Sequence, residues 1–285
     1  MPWFWALPAV LLVVAMRYAT VVAGGWYAFT DWNGISFQAD IIGLENFRTI
    51  LHKKDSMIGL YTTVKYALCL IIFSNLLGIL FAAMLNKGIR IRNLLRVLIF
   101  IPVIMLPMSV SYTWKFIYQF NGPLNILLQK LHLSHLVTVW LADPKLSFWA
   151  VTAVVIWRWA GRCMLIYLAG LQNISEDIED AALIDGANGF QRFMRISLPL
   201  LAPSMTITFT LTLTAGLNIF DEIMALTSGG PNGLTESMAT LIYKETYVYG
   251  NFGYGAALSL ILTVFVVIVA LAQLAVLRKR EEEMS

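Results

Sequence analysis

The sequence predicts an all-α, polytopic membrane protein with six spanning helices, and three observations carry that reading. Hydrophobic residues make up 59% of the chain and charged residues only 13%, whereas a soluble domain carries about 45–50% apolar and about 25% charged residues. A chain this apolar cannot cover a water-facing surface of its own. Second, six apolar runs are long enough to cross a hydrocarbon core of about 30 Å, which takes about 20 residues at 1.5 Å each. Third, the cations gather in the connections of one side. The formal net charge of +3 gives no reason to invoke nucleic acid. Cys69 and Cys163 lie inside apolar runs without a C-x-x-C partner, so no disulfide frame or zinc ribbon is implied.

The spans fall at about 4–29, 58–85, 94–120, 147–171, 199–220 and 256–277 of a single transmembrane domain, residues 1–285. The first lacks a basic start, runs past Arg17 and has no small-residue cleavage pattern, so it reads as an anchored helix and not a signal segment. Orientation follows from lysine and arginine in the connections. Lys87, Arg90, Arg92, Arg96, Arg192, Arg195, Arg278, Lys279 and Arg280 fall on one side, nine in all. The other side holds six: Arg48, Lys53, Lys54, Lys130, Lys145 and Lys244. Both termini and the 172–198 connection are therefore expected in the cytoplasm.

That connection, QNISEDIEDAALIDGANGFQRFMRISL, holds five of the seventeen acids, between Glu176 and Asp185. Asn173 or Ser175 can cap a helix whose first turn carries Glu176 and Asp177, where the dipole favours anions. Ile178, Ala181 and Ala182 share a face of that helix. Asp185-Gly186 ends it, since glycine supplies the positive φ of a helix C-cap. Asn188 can cap a second helix with Gln191 three residues on, and Phe190, Phe193 and Met194 form its apolar face. Pro199 then opens the fifth span, at a position where a missing N–H costs little. The product is a helix–turn–helix that is either a solvated elbow or a knob that docks into another protein's groove.

The spacing Asp180-Ala181-Ala182, three residues, Gly186, nine residues, Ile196-x-Leu198-Pro199 resembles the cytoplasmic Glu-Ala-Ala signature of ABC import permeases, with Asp180 in place of glutamate and Ser175 where sugar permeases usually have proline. Further segments resemble the first, maltose-type sugar permease subunit: Ala28 to Asn33 and Gly43 to Phe47 after the first span, Arg96-Val97-Leu98 with Pro102, Leu226 to Pro231, and Gly253 to Ala257. The resemblance implies the type I importer permease fold. It implies a second, homologous permease subunit, two ATPase subunits and an extracytoplasmic solute-binding protein as partners, in a bacterial or archaeal-type cell membrane. Asp180, Ala181, Ala182, Asp185, Gly186, Phe190, Phe193, Ile196, Leu198 and Pro199 are then the residues that meet the ATPase. ATP and magnesium belong to those partner chains: this sequence has no G-x-x-x-x-G-K-[ST] loop.

His132-x-x-His135 lacks a third metal-ligand partner and reads as a solvated loop, and no nucleophile–base arrangement points to an enzyme. Arg17, Lys65, Lys115, Arg158 and Arg162 fall in or near the spans, with no carboxylate well inside any of them. A proton- or sodium-coupled secondary carrier, the competing reading, would be expected to place acids there. Arg158 and Arg162 stand at i and i+4 on one face of span 4, beside Trp159. Aligned on Trp157, the maltose-type resemblance puts Arg158, Trp159 and Arg162 at sugar-contact positions, with Asn218 near the span 5 contacts and apolar Val103 and Pro107 at those of span 3. Two readings of the arginines stay open. They snorkel or pair with a carboxylate of the partner subunit, or they bias a cavity toward an acidic sugar or sugar phosphate, whose anionic groups fit guanidinium forks.

Overall fold

A computed structural model of the chain describes residues 3–36, 38–86 and 90–284. Among these there is no β-strand, only an isolated bridge between Thr30 and Ile41. The helices run in order: α1 (Leu7–Tyr27), α2 (Glu45–His52), α3 (Lys54–Cys69), α4 (Asn75–Asn86), α5 (Arg92–Ile104), α6 (Pro107–Ile117), α7 (Pro123–Lys130), α8 (Ser147–Gln172), α9 (Glu176–Ile184), α10 (Gly189–Arg192), α11 (Leu198–Leu200), α12 (Ala202–Leu217), α13 (Asp221–Leu226), α14 (Met238–Tyr243) and α15 (Phe252–Met284). Four continuous helices are long and apolar enough to cross a membrane: Phe4–Tyr27, Lys54–Asn86, Ser147–Gln172 and Phe252–Leu277. Two further pairs of helices, Arg92–Ile104 with Pro107–Ile117 and Gly189–Leu200 with Ala202–Leu217, pass the same test only together across a bend, and the total is six when each pair is one span.

The bends correct two readings of the sequence. The third span is not one helix: α5 and α6 meet at 103°. Met105 and Leu106 are extended there, because Pro107 crowds the α conformation of the residue before it and can start a helix but not continue one. The fifth span is likewise broken, just after Pro199: that proline sits in α11, and α12 starts after a 69° turn with Pro203 in its first turn.

The centre of the bundle is the crossing of α4 with α8. Gly78 makes it possible: a Cβ there would lie 2.5 Å from Cys163 Cβ and 3.0 Å from the Met164 backbone N. Small residues at membrane helix crossings allow such backbone approach. Beside it a buried polar chain ties three spans: the Tyr167 hydroxyl donates to Asn75 Oδ1 at 2.7 Å, Thr208 donates to the Tyr167 oxygen at 2.6 Å, and Asn75 Nδ2 donates to Thr212 at 3.0 Å. Each partner satisfies a group that would be costly if left alone in hydrocarbon. In contrast, α1 packs against α15 and has no buried residue.

Asn46 Nδ2 donates to the carbonyls of Ala28 and Thr30, and Lys53 pairs with Glu245, so the segments 28–53 and 244–254 share one end of the bundle. The elbow formed by α9 to α11 lies at the other. Of the cations counted at the elbow end, Lys87 and the side chains of Arg278, Lys279 and Arg280 lie outside the described residues.

Candidate functional site

Two regions hold the residues that the sequence singles out. The first is the elbow. Ser175, rather than Asn173, caps α9, its Oγ accepting the Asp177 N–H at 3.2 Å. The helix ends as the sequence predicts: Gly186 has φ +78°, its N–H bonds the Leu183 carbonyl, and the Ala187 N–H reaches back to Ala182, each at 3.0 Å. That is the pair of closing bonds of a Schellman turn. Two residues on, Asn188 and Gln191 exchange side-chain-to-backbone bonds of 2.9 Å, a full capping box. The hinge geometry is therefore fixed by hydrogen bonds between Ser175 and Gln191.

Its apolar face differs in part from the expected one. Ala182 is buried and Phe193 half-buried, while Asp180, Ala181, Asp185 and Gly186 are exposed and Ile196, Leu198 and Pro199 are intermediate. The side chains held out to solvent are Ile184 at 87% and Phe190 at 72%, with Ile178, Leu183 and Met194 beside them. Leu183 and Ile184 were missed in the sequence. Their signal was two large apolar residues just before a glycine stop, on a helix otherwise rich in acids.

The second region is the arginine face of α8. Arg158 Nη2 lies 2.6 Å from Glu222 Oε1, and the two side chains are only 15% and 6% exposed. The partner of Arg158 is thus in its own chain, not in another subunit, and Glu222 was not anticipated as a site residue. Sixty-four positions separate the two, and no local pattern links them. Arg162 is exposed, with its guanidinium 4.5 Å over the Trp159 ring, a cation–π arrangement. Val103, Arg158, Trp159 and Arg162 line one shallow cleft. Asn218 is exposed at the end of α12 but spends its Nδ2 on the Thr214 carbonyl at 2.8 Å, leaving Oδ1 as its polar group toward solvent.

Two other cations of the spans, Lys115 and Lys65, also find local partners. Lys115 donates to the Ala225 carbonyl at 3.2 Å, at the C-terminal end of α13, where a helix dipole favours a cation. Lys65 lies 3.8 Å over the Phe148 ring. Arg17 remains exposed on α1. His132 and His135 are both exposed on the segment after α7.

Residues 74–282 match the family model described as binding-protein-dependent transport system inner membrane component. The chain is 32% identical to the multiple sugar-binding transport system permease protein MsmF of Streptococcus mutans, over 98% of this chain and 96% of that protein. It is 31% identical to the trehalose/maltose transport system permease protein MalF of Thermococcus litoralis, over 95% and 92% respectively. Its fold superposes on a chain of a bacterial alginate ABC transporter with a TM-score of 0.85 at 19% identity, covering 98% of this chain and 94% of that one.

Proposed function

The chain belongs to the binding-protein-dependent transport system inner membrane component family, and from that premise we propose that it pairs with a second, homologous permease subunit to move a sugar, oligosaccharide or sugar derivative into the cytoplasm. It is a multi-pass permease subunit of an ATP-binding-cassette importer; the ATP-independent carrier is set aside by that membership. Carbohydrate as cargo is supported by the transport roles of its relatives and by Trp159 beside polar Arg158 and Arg162. An indole face and forked hydrogen-bonding groups suit a sugar's C–H face and its hydroxyls.

In this reading both termini and the elbow face the cytoplasm of a bacterial or archaeal-type cell. The opposite segments, 30–57, 121–146 and 221–255, face a soluble solute-binding protein and the outer lipid surface. Two ATPase subunits, which hold ATP and magnesium, close on nucleotide and carry the elbow with them. Asp180, Ala181, Ala182, Asp185, Gly186, Phe190, Phe193, Ile196, Leu198 and Pro199 form or support the contact. Motion of the ATPases then biases two packings of the spans, one open to each side.

The observation that carries this is the elbow: Ile184 and Phe190 are held out to water on a turn braced by its own hydrogen bonds. Cysteines placed at Ile184 and Phe190, in the complete transporter, should crosslink to an ATPase subunit, and in a nucleotide-dependent way. Silence at both positions in an actively transporting assembly would refute the reading.

A further inference from the structure

We infer that Glu222 sets the charge preference of the cargo route: it cancels and fixes Arg158, so that this arginine offers N–H donors to an uncharged sugar instead of a free positive charge to an acidic one. The inference rests on the carbohydrate reading above. An arginine side chain stays protonated in proteins, so a guanidinium out of water must be met by an anion. Here the anion is supplied by the chain itself, at 2.6 Å.

Glu222 is not free to swing away. It stands in the first turn of α13, whose Ile223 and Leu226 are buried in the cluster formed with Val110, Val151 and Val155. Lys115 holds the other end of that short helix through the Ala225 carbonyl. The contact uses Nη2 of Arg158, while Nε of the same guanidinium is buried with no hydrogen-bond partner. The side chain is therefore held on one edge and buried at Nε, and the small part of it that stays exposed lines the narrow cleft with Trp159 and Arg162. A hydroxyl or ring oxygen could accept from the N–H groups of that exposed part. A carboxylate entering the cleft would meet Glu222 at the same guanidinium, and like-charge juxtaposition is an effective way to exclude a competing ligand. Arg162 does not restore an anion site, because its charge lies on the indole face and is exposed to screening water. Glu222 acts through Arg158 and is a positioning residue.

The test uses the complete transporter in nanodiscs without the solute-binding protein, so that the permease pair alone discriminates. Two probes are titrated: a neutral glucose trisaccharide, and the same trisaccharide with one unit oxidised to a uronic acid. The native protein should prefer the neutral probe. Glu222→Gln should shift the affinity ratio toward the acid by about tenfold or more, the scale of one charge contact in a partly desolvated site. Glu222→Asp should stay near the native ratio, and Arg158→Gln combined with Glu222→Gln should abolish the shift, which a merely structural defect would not do. Should Glu222→Gln fail to assemble, the exchanged pair Arg158→Glu/Glu222→Arg keeps the ion pair and places the carboxylate on α8. That variant should disfavour the acid further, again by about tenfold. Sugar binding with a ratio unmoved in the assembled variant overturns the inference alone. Failure of the native transporter, with its solute-binding protein restored, to take up any member of a panel of neutral and acidic oligosaccharides overturns the carbohydrate reading and the inference with it.

Discussion

The elbow and the Arg158–Glu222 pair solve opposite problems. The elbow is built from neighbours in sequence, is wet, and holds its apolar side chains outward. The pair joins residues far apart in sequence, is nearly dry, and turns its charges on each other. In the first, the cost of a hinge is met by turn chemistry, and the apolar surface remains for another protein. In the second, the cost of a buried cation is met inside the fold, and little charge remains for anything else. The elbow thus leaves its hydrophobic groups unsatisfied, whereas the α8–α13 contact satisfies its charges first.

The largest effect should come from breaking the dry region. Glu222→Leu leaves a permanently charged guanidinium without its anion, a change that costs about 3–5 kcal/mol when the pair is well buried. Thermal unfolding of the detergent-solubilised assembly should show a clear drop in Tm, and the double variant with Arg158→Leu should recover a large part of it. A drop that the second substitution fails to relieve would mean that packing around α13, not charge, holds the region together.

At the elbow the same logic predicts a smaller loss of stability and a larger loss of transport. A Cβ at Gly186 meets nothing within 4 Å, so any penalty is conformational and not steric against neighbours. With φ at +78°, a β-branched residue pays on the order of 1–2 kcal/mol for the left-handed conformation, roughly a 5–30-fold loss of the intact turn. Gly186→Val should therefore leave Tm of the assembly almost unchanged while ATP hydrolysis runs on without uptake. Asn188→Ala removes one capping bond worth about 1 kcal/mol and should give a milder form of the same uncoupling. Equal losses of Tm and transport in both variants would erase the contrast between the two regions.

These outcomes track what was readable from sequence. Gly186, Asn188 and Gln191 could be placed because each acts on a backbone group within three positions of itself. The spans were legible as apolar lengths, but their bends were not. Pro107 and Pro203 each sit inside an uninterrupted apolar run, and hydropathy does not register a lost N–H. Glu222 was invisible for a different reason. It follows the fifth span directly and looks like an interfacial acid, and only the return of α13 against α6 and α8 brings it to Arg158. Leu183 and Ile184 were overlooked because the face was read from spacing alone, and Ala182, on that face, packs inward.

A second ion pair separates burial from charge and should give the smallest effect. Lys53 and Glu245 join the α2–α3 junction to the segment before α15, but the lysine is 38% exposed and the carboxylate 3%. Burial alone would lower the Lys53 pKa; the hydrogen bond and attraction of Glu245 outweigh it and hold the value above the ordinary 10.5. A raised lysine pKa means that folding favours the protonated form, so the contribution is fully present below pH 10.5 and fades as pH rises through the raised value. Solvent screening at the exposed lysine limits that contribution to about 0–1 kcal/mol. Lys53→Gln should accordingly shift Tm slightly at neutral pH, and the gap to the native protein should close in strongly alkaline buffer. If Lys53→Gln instead matched the loss caused by Glu222→Leu, charge alone would govern both pairs, and the dryness of the α8–α13 contact would not be what distinguishes them.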